Sequence, residues 1–461
     1  MFSSKSGFFV TFATQKKDKM KIKLLLPVVV FATGGIISVS ARTPDDGAAV
    51  LRLDMPTMFA MADENNTSIR SYELAEAAAA EAVKSARNDR LPSIDFSASV
   101  SFLGDVWIAD RDFSNGTNGP MPHFGNNFAV EAAQVIYAGG AVSNNIALAE
   151  LKLKSMQSEA DANRQSVRFL LVGNLLELCK LDNRATVLRK NIEQTRRLLD
   201  DIRARQREGL AIRNDITRYE LQLQRLELAL TRSENSRAIV NGRLAVALGI
   251  DSRTRIEPDS ELTGELPDMT AEAVWQDRAG DSPLLRQARF GVEQARVGVK
   301  LARAERIPSI SLFAGDRLDG PVTVEVPPLN KNLNYWFAGV GLKFNIGSLY
   351  KSGRNIRRAK YASQRAEVLE QLAEENLRSD VREAYIRYNE SFTVYEMQRK
   401  NLELAAENYD VVRNRFLNGL ALITDMLDAD NAKLSAELDV ANARVEILFN
   451  RYRLKKIAGD L

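Results

Sequence analysis

A chain of 461 residues with 63 basic and 60 acidic side chains has room for several domains, and its formal charge of +3 offers no footprint for nucleic acid. Its one histidine, His123, and one cysteine, Cys179, exclude an internal disulfide. Nothing in the sequence brings the two together, so a zinc centre or a Cys/His nucleophilic pair has no source of residues.

At the N-terminus, Lys21 and Lys23 precede an apolar run from Leu24 to Val39, which ends in Val39-Ser40-Ala41. This is the pattern of a secretory signal peptide over residues 1–41, cleaved after Ala41. Met20 reads as the better start, leaving residues 1–19 as an extension ahead of it. A membrane anchor is the alternative, but the run is short for a span and contains Pro27 and Gly34-Gly35. No cysteine follows the cleavage point before Cys179, which argues against a lipid-anchored mature end.

From about residue 64 onward the ground plan is written twice. Arg90-Leu91-Pro92-Ser93-Ile94 returns as Arg306-Ile307-Pro308-Ser309-Ile310, Lys190-Asn191-Ile192-Glu193 as Lys400-Asn401-Leu402-Glu403, and Gly209-Leu210 as Gly419-Leu420. The period of about 210 residues is far longer than a solenoid repeat, so each copy is a large unit. The copies are expected at 64–250 and 271–461, with a Pro/Gly-containing linker at 251–270.

Each copy opens with a helix, Ser68 to about Asn88 and Pro283 to about Glu305, the second begun by Ser282 as N-cap and Pro283 at the first helical position. The proline of the Arg-x-Pro-Ser-Ile motif stops both helices. Ile94, Phe96, Ala98, Val100 and Phe102 then alternate with serines and Asp95, as do Trp336, Ala338, Val340, Leu342 and Phe344 with glycines and Lys343. These are strands with one apolar and one polar face. Segments 127–137 and 308–314 are weaker strands, and the Gly104–Asn126 and Gly315–Asn334 stretches read as long exposed loops, the first of them carrying His123. A soluble sandwich would show the same alternation. Strands of about ten residues, a polar face of serine and glycine, and aromatic residues such as Trp107, Tyr137, Tyr335 and Trp336 near strand ends favour a membrane barrel. Four strands cannot close in lipid, so the barrel must be shared between subunits.

The stretch from Ala141 to Glu208 lacks proline, which at 1.5 Å per residue is a helix about 100 Å long. Leu171, Asn174, Leu178, Leu181, Ala185, Leu188, Ile192, Thr195, Leu199, Ile202 and Gln206 fall on a heptad a/d series, with Cys179 in the same apolar pattern. Val381, Tyr388, Tyr395, Leu402, Tyr409 and Phe416 recur every seventh residue in the second copy. Shorter helices return after Gly209 and Gly419, and the helices that precede the strands are expected to stack end to end on them. The glycines supply the positive φ that helix reversal requires. Asp425 and Asp428, three apart, share a helix face, with Asp215 as the first-copy partner of Asp425. First-turn carboxylates favoured by the helix dipole are one reading of them. Rings of carboxylates narrowing a pore are the other.

Duplicated strands at one end, helices of about 100 Å at the other, Leu-Pro-Ser-Ile and Ile-Pro-Ser-Ile at the junctions, Tyr137-Ala138-Gly139-Gly140 at the return to the long helix, and the tips Gly209-Leu210…Asp215 and Gly419-Leu420…Asp425 together resemble the TolC family of outer membrane efflux proteins. The resemblance implies a mainly α fold with a membrane β-barrel portion, in which four strands per chain complete a twelve-stranded barrel in a homotrimer. A long coiled-coil tunnel would continue that barrel from the outer-membrane lipid into the periplasm. It further implies a passive duct for efflux or type I secretion, docked to a periplasmic adaptor and energised by an inner-membrane RND, ABC or MFS transporter. By the same resemblance Gly209, Leu210, Gly419 and Leu420 would meet the adaptor, and Asp425, Asp428 and Asp215 would form the gate.

Two departures stand out: the second copy has Gly353 in Tyr350-Lys351-Ser352-Gly353 where the first has a double glycine, and Phe416 and Ala421 occupy positions where family gates use a tyrosine and an arginine. A looser or differently latched gate is expected, because the hydrogen bonds of that tyrosine and arginine are missing. A periplasmic coiled-coil adaptor or scaffold would explain the heptads and the signal but not the four strands. No cofactor and no catalytic residues are expected.

Overall fold

Residues 49–259, 266–323 and 328–461 are described by the computed structural model, so the expected signal peptide at 1–41 lies outside the described residues. In chain order β1 (Val50–Leu53) and α1 (Met55–Asn65) precede the bulk of the first copy, which contains α2 (Thr67–Asn88), β2 (Ser93–Phe102), β3 (Val106–Ile108), β4 (Thr117–Gly119), β5 (Phe124–Ala138), α3 (Ala141–Arg207) and α4 (Arg213–Leu248). The linker carries β6 (Arg255–Pro258), and the second copy contains α5 (Glu272–Ala279), α6 (Pro283–Ala304), β7 (Ser309–Gly320), β8 (Leu333–Lys343), α7 (Ser348–Leu417) and α8 (Ile423–Ala458). The main helices of the two copies match in length: 67 and 70 residues for α3 and α7, 36 each for α4 and α8, and 22 each for α2 and α6.

The four long strands form one antiparallel sheet in the order β2-β5-β7-β8. Register aligns Phe96 with Val130, Ala132 with Ala314, and Ala314 with Ala338, so one face runs from Ile94 and Phe96 across Val130 and Ala132 to Leu312, Val340 and Trp336 and is apolar except for Asp316 between Val130 and Trp336. This face is uncovered, with Phe102 82% and Trp336 80% exposed. The other face carries the β2 serines, Asp95, Glu131, Arg317 and Asp319. There Arg317 Nε donates to Glu131 Oε1 at 2.8 Å while the guanidinium lies 5.3 Å from the Phe337 ring centre. An apolar face that finds no cover within its own chain, backed by a paired polar one, is the pattern of a strand wall between lipid and water. Part of the expected loop at 104–126 is instead ordered as the β3–β4 hairpin, with Trp107 opposite Asn118.

The helices form columns. In the half nearer the strands α2, α3, α6 and α7 lie side by side, and in the far half the order is α4, α3, α8, α7. The expected end-to-end stacking is present in both copies. Asn66 joins α4 to α2: its Oδ1 accepts from Ser68 N at 2.9 Å and Ile69 N at 3.3 Å, capping α2, while its Nδ2 donates to Ala247 O at 2.9 Å. One side chain thereby satisfies orphan groups of two helices. At the second junction Gly459 (φ 80°) turns α8 toward α6 so closely that a Cβ there would lie 3.0 Å from Pro283 Cδ.

The heptad positions pack as their spacing requires. Leu171, Leu178, Leu188, Ile192 and Ile202 on α3 and Val381, Tyr388, Tyr409 and Phe416 on α7 are buried, in clusters strung along the columns. Gln206, the last position of the first series, is exposed in the final turn of α3. Cys179 is buried, and burial with the neighbouring Asp182 charge pushes its thiol up to about 12.

Three features correct the sequence reading. Gly353 is not the counterpart of Gly140: it lies inside α7, and the junction residue is Gly347, with an ordinary φ of −61° because a turn closed by Ser348 N on Asn345 O makes a left-handed residue unnecessary. Ser282 stands at the N-cap of α6, but its hydroxyl is buried without a hydrogen-bond partner, and only its carbonyl contributes, accepting from Arg286 N at 3.0 Å. The third is a parallel ribbon of β1 and β6 with α1 beside it, absent from the expected elements. Asn241 of α4 holds β6 as another strand would, donating Nδ2 to Thr254 O and accepting from Ile256 N, both at 2.8 Å.

Candidate functional site

The far ends of the two hairpins carry every residue singled out for function. Each long helix ends in a Schellman motif: Leu210 N donates to Arg205 O at 2.8 Å and Gly209 N to Gln206 O at 3.1 Å, repeated as Leu420 N to Arg415 O at 2.8 Å and Gly419 N to Phe416 O at 3.0 Å. Gly209 and Gly419 sit at φ 77° and 74°. The turn then projects Leu210 and Ile212 at one tip and Leu420 and Leu422 at the other, all well exposed.

Asp215 and Asp425 occupy the same place in the two tips. Each is the third residue of its returning helix and accepts a backbone N–H from the residue before the helix, Ile212 N to Asp215 Oδ2 at 3.2 Å and Leu422 N to Asp425 Oδ2 at 3.1 Å. Since isoleucine and leucine cannot cap with their own side chains, the aspartate satisfies that orphan donor and places a charge at the positive end of the helix. Asp428 is exposed one turn further along α8, and its first-copy counterpart is Arg218. The acidic pairing is therefore particular to the second tip.

What joins the two hairpins was not foreseen from the sequence. Arg205 of α3 reaches across to the end of α7 and donates Nη1 to Leu417 O at 2.7 Å and to Phe416 O at 3.3 Å, with its guanidinium 5.6 Å from the Phe416 ring centre. Phe416, expected to weaken the latch for lack of a hydroxyl, instead supplies the face on which this cation rests. A few turns above, Asp430 of α8 is buried among Tyr219 of α4, Tyr409 of α7 and Lys433, whose Nζ stands 4.1 Å from the Tyr409 ring centre. Burial raises the Asp430 carboxyl to about 6, a shift that Lys433 partly offsets and Glu437 augments. Gln222 Nε2 donates to Asn431 Oδ1 at 2.8 Å beside it, bridging α4 and α8.

Among the described residues no group of histidine, cysteine, aspartate and glutamate could hold a metal ion, and no helix is long and apolar enough to cross a membrane. His123 stacks on Phe102 with ring centres 5.2 Å apart and sits 2.8 Å from Leu103 O, a loop residue far from Cys179 in chain and fold.

A duplicated chain that puts two-faced strands at one end of helices about 100 Å long, with paired hairpin tips at the other, is a segment of an outer-membrane channel continued by a helical tunnel. The chain belongs to the outer membrane efflux protein family, whose model matches residues 59–250 and again 275–460. It is similar to the outer membrane protein TolC of Vibrio cholerae, 22% identical over 445 residues that cover 95% of this chain and 96% of the relative. It is also similar to the protein CyaE of Bordetella pertussis, 24% identical over 339 residues covering 73% and 71%. Among solved structures, the outer-membrane channel OprN shares the fold with a TM-score of 0.74 at 16% identity, covering 91% of this chain and 98% of that one. The open state of the MtrE outer membrane channel of Neisseria gonorrhoeae does so at 0.72 and 19%, covering 88% of each. The protein is an outer-membrane efflux or secretion channel with its helical tunnel in the periplasm, and family membership sets aside the adaptor reading.

Proposed function

We propose that three copies of this chain close into one duct, its two repeats (64–250 and 271–461, joined at 251–270) giving six near-equivalent units around a single pore after cleavage at Ala41. The observation that carries this is the pair of unsatisfied edges. β2 and β8 are the edge strands of the sheet, and α4 and α7 are the outermost helices of the tunnel half. α4 exposes Leu221, Leu228, Ile239 and Val246, and α7 exposes Ile386, Met397, Leu404 and Val411, each series spaced by seven or eleven residues. A strand edge in lipid leaves backbone groups costing several kcal/mol each, and apolar stripes at coiled-coil spacing call for a partner helix. A head-to-tail ring joins β8 to the next β2 and α7 to the next α4, which removes both edges at once. Twelve strands in three chains match the four per chain.

In this reading the duct moves solute passively, driven by an inner-membrane RND, ABC or MFS transporter through a periplasmic adaptor, and performs no catalysis. The exposed Leu210 and Leu420, presented by Gly209 and Gly419, form the adaptor contact. Asp425 and Asp428, with Asp215 at the neighbouring tip, line the narrow periplasmic end, where two rings of carboxylates attract cations. Mass measurement of the detergent-extracted protein tests the assembly: a trimer that dissociates on heating is expected, and a stable monomer or dimer refutes the ring. Gly419→Glu tests the docking surface, since unchanged crosslinking to the adaptor would remove the tips from it.

A further inference from the structure

Asp430 is a buried charge-bearing group for which the duct, the tips and the acidic rings have no use. It is 7% exposed, whereas its first-copy counterpart Glu220 lies at the surface and pairs with Arg203 at 2.9 Å. It stands where the two hairpins meet, with α4, α7 and α8 all contributing to its surroundings.

The groups facing it leave the carboxylate poorly compensated. From α4 comes Tyr219, fully buried, whose hydroxyl has no hydrogen-bond partner. α7 contributes Tyr409, on which Arg413 and Asp410 act in opposite directions. On α8 itself Lys433 is drawn over the Tyr409 ring and Glu437 adds negative charge. The α3 groups are engaged elsewhere: Lys190 and Asn191 bind Glu437 at 3.5 and 3.1 Å, and Arg197 is paired with Glu193. Arg197 and Asp201 line the small cleft in front of Tyr409 and Lys433.

We propose that Asp430 is a proton-operated staple between the α3–α4 and α7–α8 hairpins: carrying a proton it lets the hairpins stay packed, and ionised it drives them apart and loosens the tunnel end. The protonated form offers a donor and no net charge to a layer of tyrosines, whereas the ionised form gives up most of its hydration there and regains it when the hairpins separate. The packed state holds the proton more tightly than a solvated carboxylate would. Its extra stability is therefore complete below about pH 4, declines as pH rises toward 6, and is gone above that. Between pH 7 and pH 5 the ratio of packed to separated states rises about tenfold per chain.

This inference rests on the channel reading, and single-channel recording of the purified full-length assembly in planar bilayers separates the two. Failure to conduct at any pH would refute the channel itself. For a conducting channel, the open fraction of wild type is expected to fall about tenfold or more from pH 7 to pH 5. Asp430→Asn, neutral at all pH, is expected to stay at the low value throughout. Glu220→Gln, which neutralises the exposed first-copy counterpart of Asp430, should keep the wild-type dependence. Tyr219→Phe removes only an unpartnered hydroxyl and is expected to fold and to move the midpoint upward by making the surroundings less polar. A wild type indifferent to pH, an Asp430→Asn variant that responds like wild type, or a Tyr219→Phe midpoint that does not move would each overturn the staple.

Discussion

Replacing Arg205 with alanine should loosen the periplasmic end of the tunnel without disturbing the rest of the chain. The guanidinium binds two carbonyls in the last turn of α7, at 2.7 and 3.3 Å, in a part-buried setting. A hydrogen bond from a charged donor contributes about 1.5–3 kcal/mol, and an exposed cation–π contact adds about 0.5–1 kcal/mol. Ordering the long side chain costs up to about 2 kcal/mol. The net loss is about 2 kcal/mol per chain, which shifts the balance between joined and separated tips roughly 30-fold. Lysine keeps the attraction of a cation for a helix C-terminus but reaches only one carbonyl, so Arg205→Lys should shift it about fivefold. Single-channel conductance at fixed pH, normalised to the amount of assembled protein, reads this directly. The heptad core above the tip leaves assembly intact. If Arg205→Ala conducts like wild type, the cross-hairpin bonds do not hold the tips; if lysine equals alanine, the fork geometry rather than the charge is what counts.

Other expectations follow from local geometry. Gly139 and Gly209 both have positive φ, 62° and 77°, but a Cβ on Gly139 would lie 2.7 Å from Ile307 Cβ whereas one on Gly209 meets nothing within 4 Å. Gly209→Ala should cost about 1–2 kcal/mol of backbone strain, and Gly139→Ala about 1–3 kcal/mol more through overpacking; heat dissociation of the assembly followed on gels ranks them, and equal shifts would contradict the contact. Asn241→Ala strands the buried Ile256 N–H of β6 and the part-buried Thr254 C=O before it and should destabilise by about 2–4 kcal/mol, measurable as a lower urea midpoint, while the neighbouring exposed Arg243→Ala should be nearly silent. Because its thiol is buried and raised to about 12, Cys179 should resist maleimide at pH 7.5 in the folded protein and react within minutes once unfolded; rapid labelling of the native form would show that the α3 core opens. Alanine at both Asp425 and Asp428 should abolish block by divalent cations if these carboxylates face the pore, and unchanged block would return them to a helix-cap role.

Periodicity made the architecture legible. Seven-residue spacing through α3 and α7 and two-residue alternation through β2 and β8 are properties of single elements, so the chain alone announces them. The duplication did the same for the hairpin pairs, and Gly209 and Gly419 declared the turns because few other residues accept their φ. The β1–β6 ribbon escaped notice because its four-residue strands lie some 200 positions apart in the sequence and are held by Asn241, a residue with no local mark of that role.

The tip shows where such reading stops. Sequence identified Asp215, Asp425 and Asp428 by their type and position, yet whether a carboxylate caps its own helix or faces a pore depends on which backbone N–H it reaches. It also read Phe416 as a missing hydroxyl, whereas the fold brings Arg205, more than 200 residues away in sequence, onto its ring. Asp430 carries no mark in the sequence that separates it from the exposed acids nearby, and only tertiary packing puts it beneath two tyrosines. Local order along this chain was determined by its periodicity, because secondary structure answers to neighbours a few residues away. The chemistry of the tip was decided only when two hairpins met, because burial and partner choice are properties of the surfaces that close over a side chain.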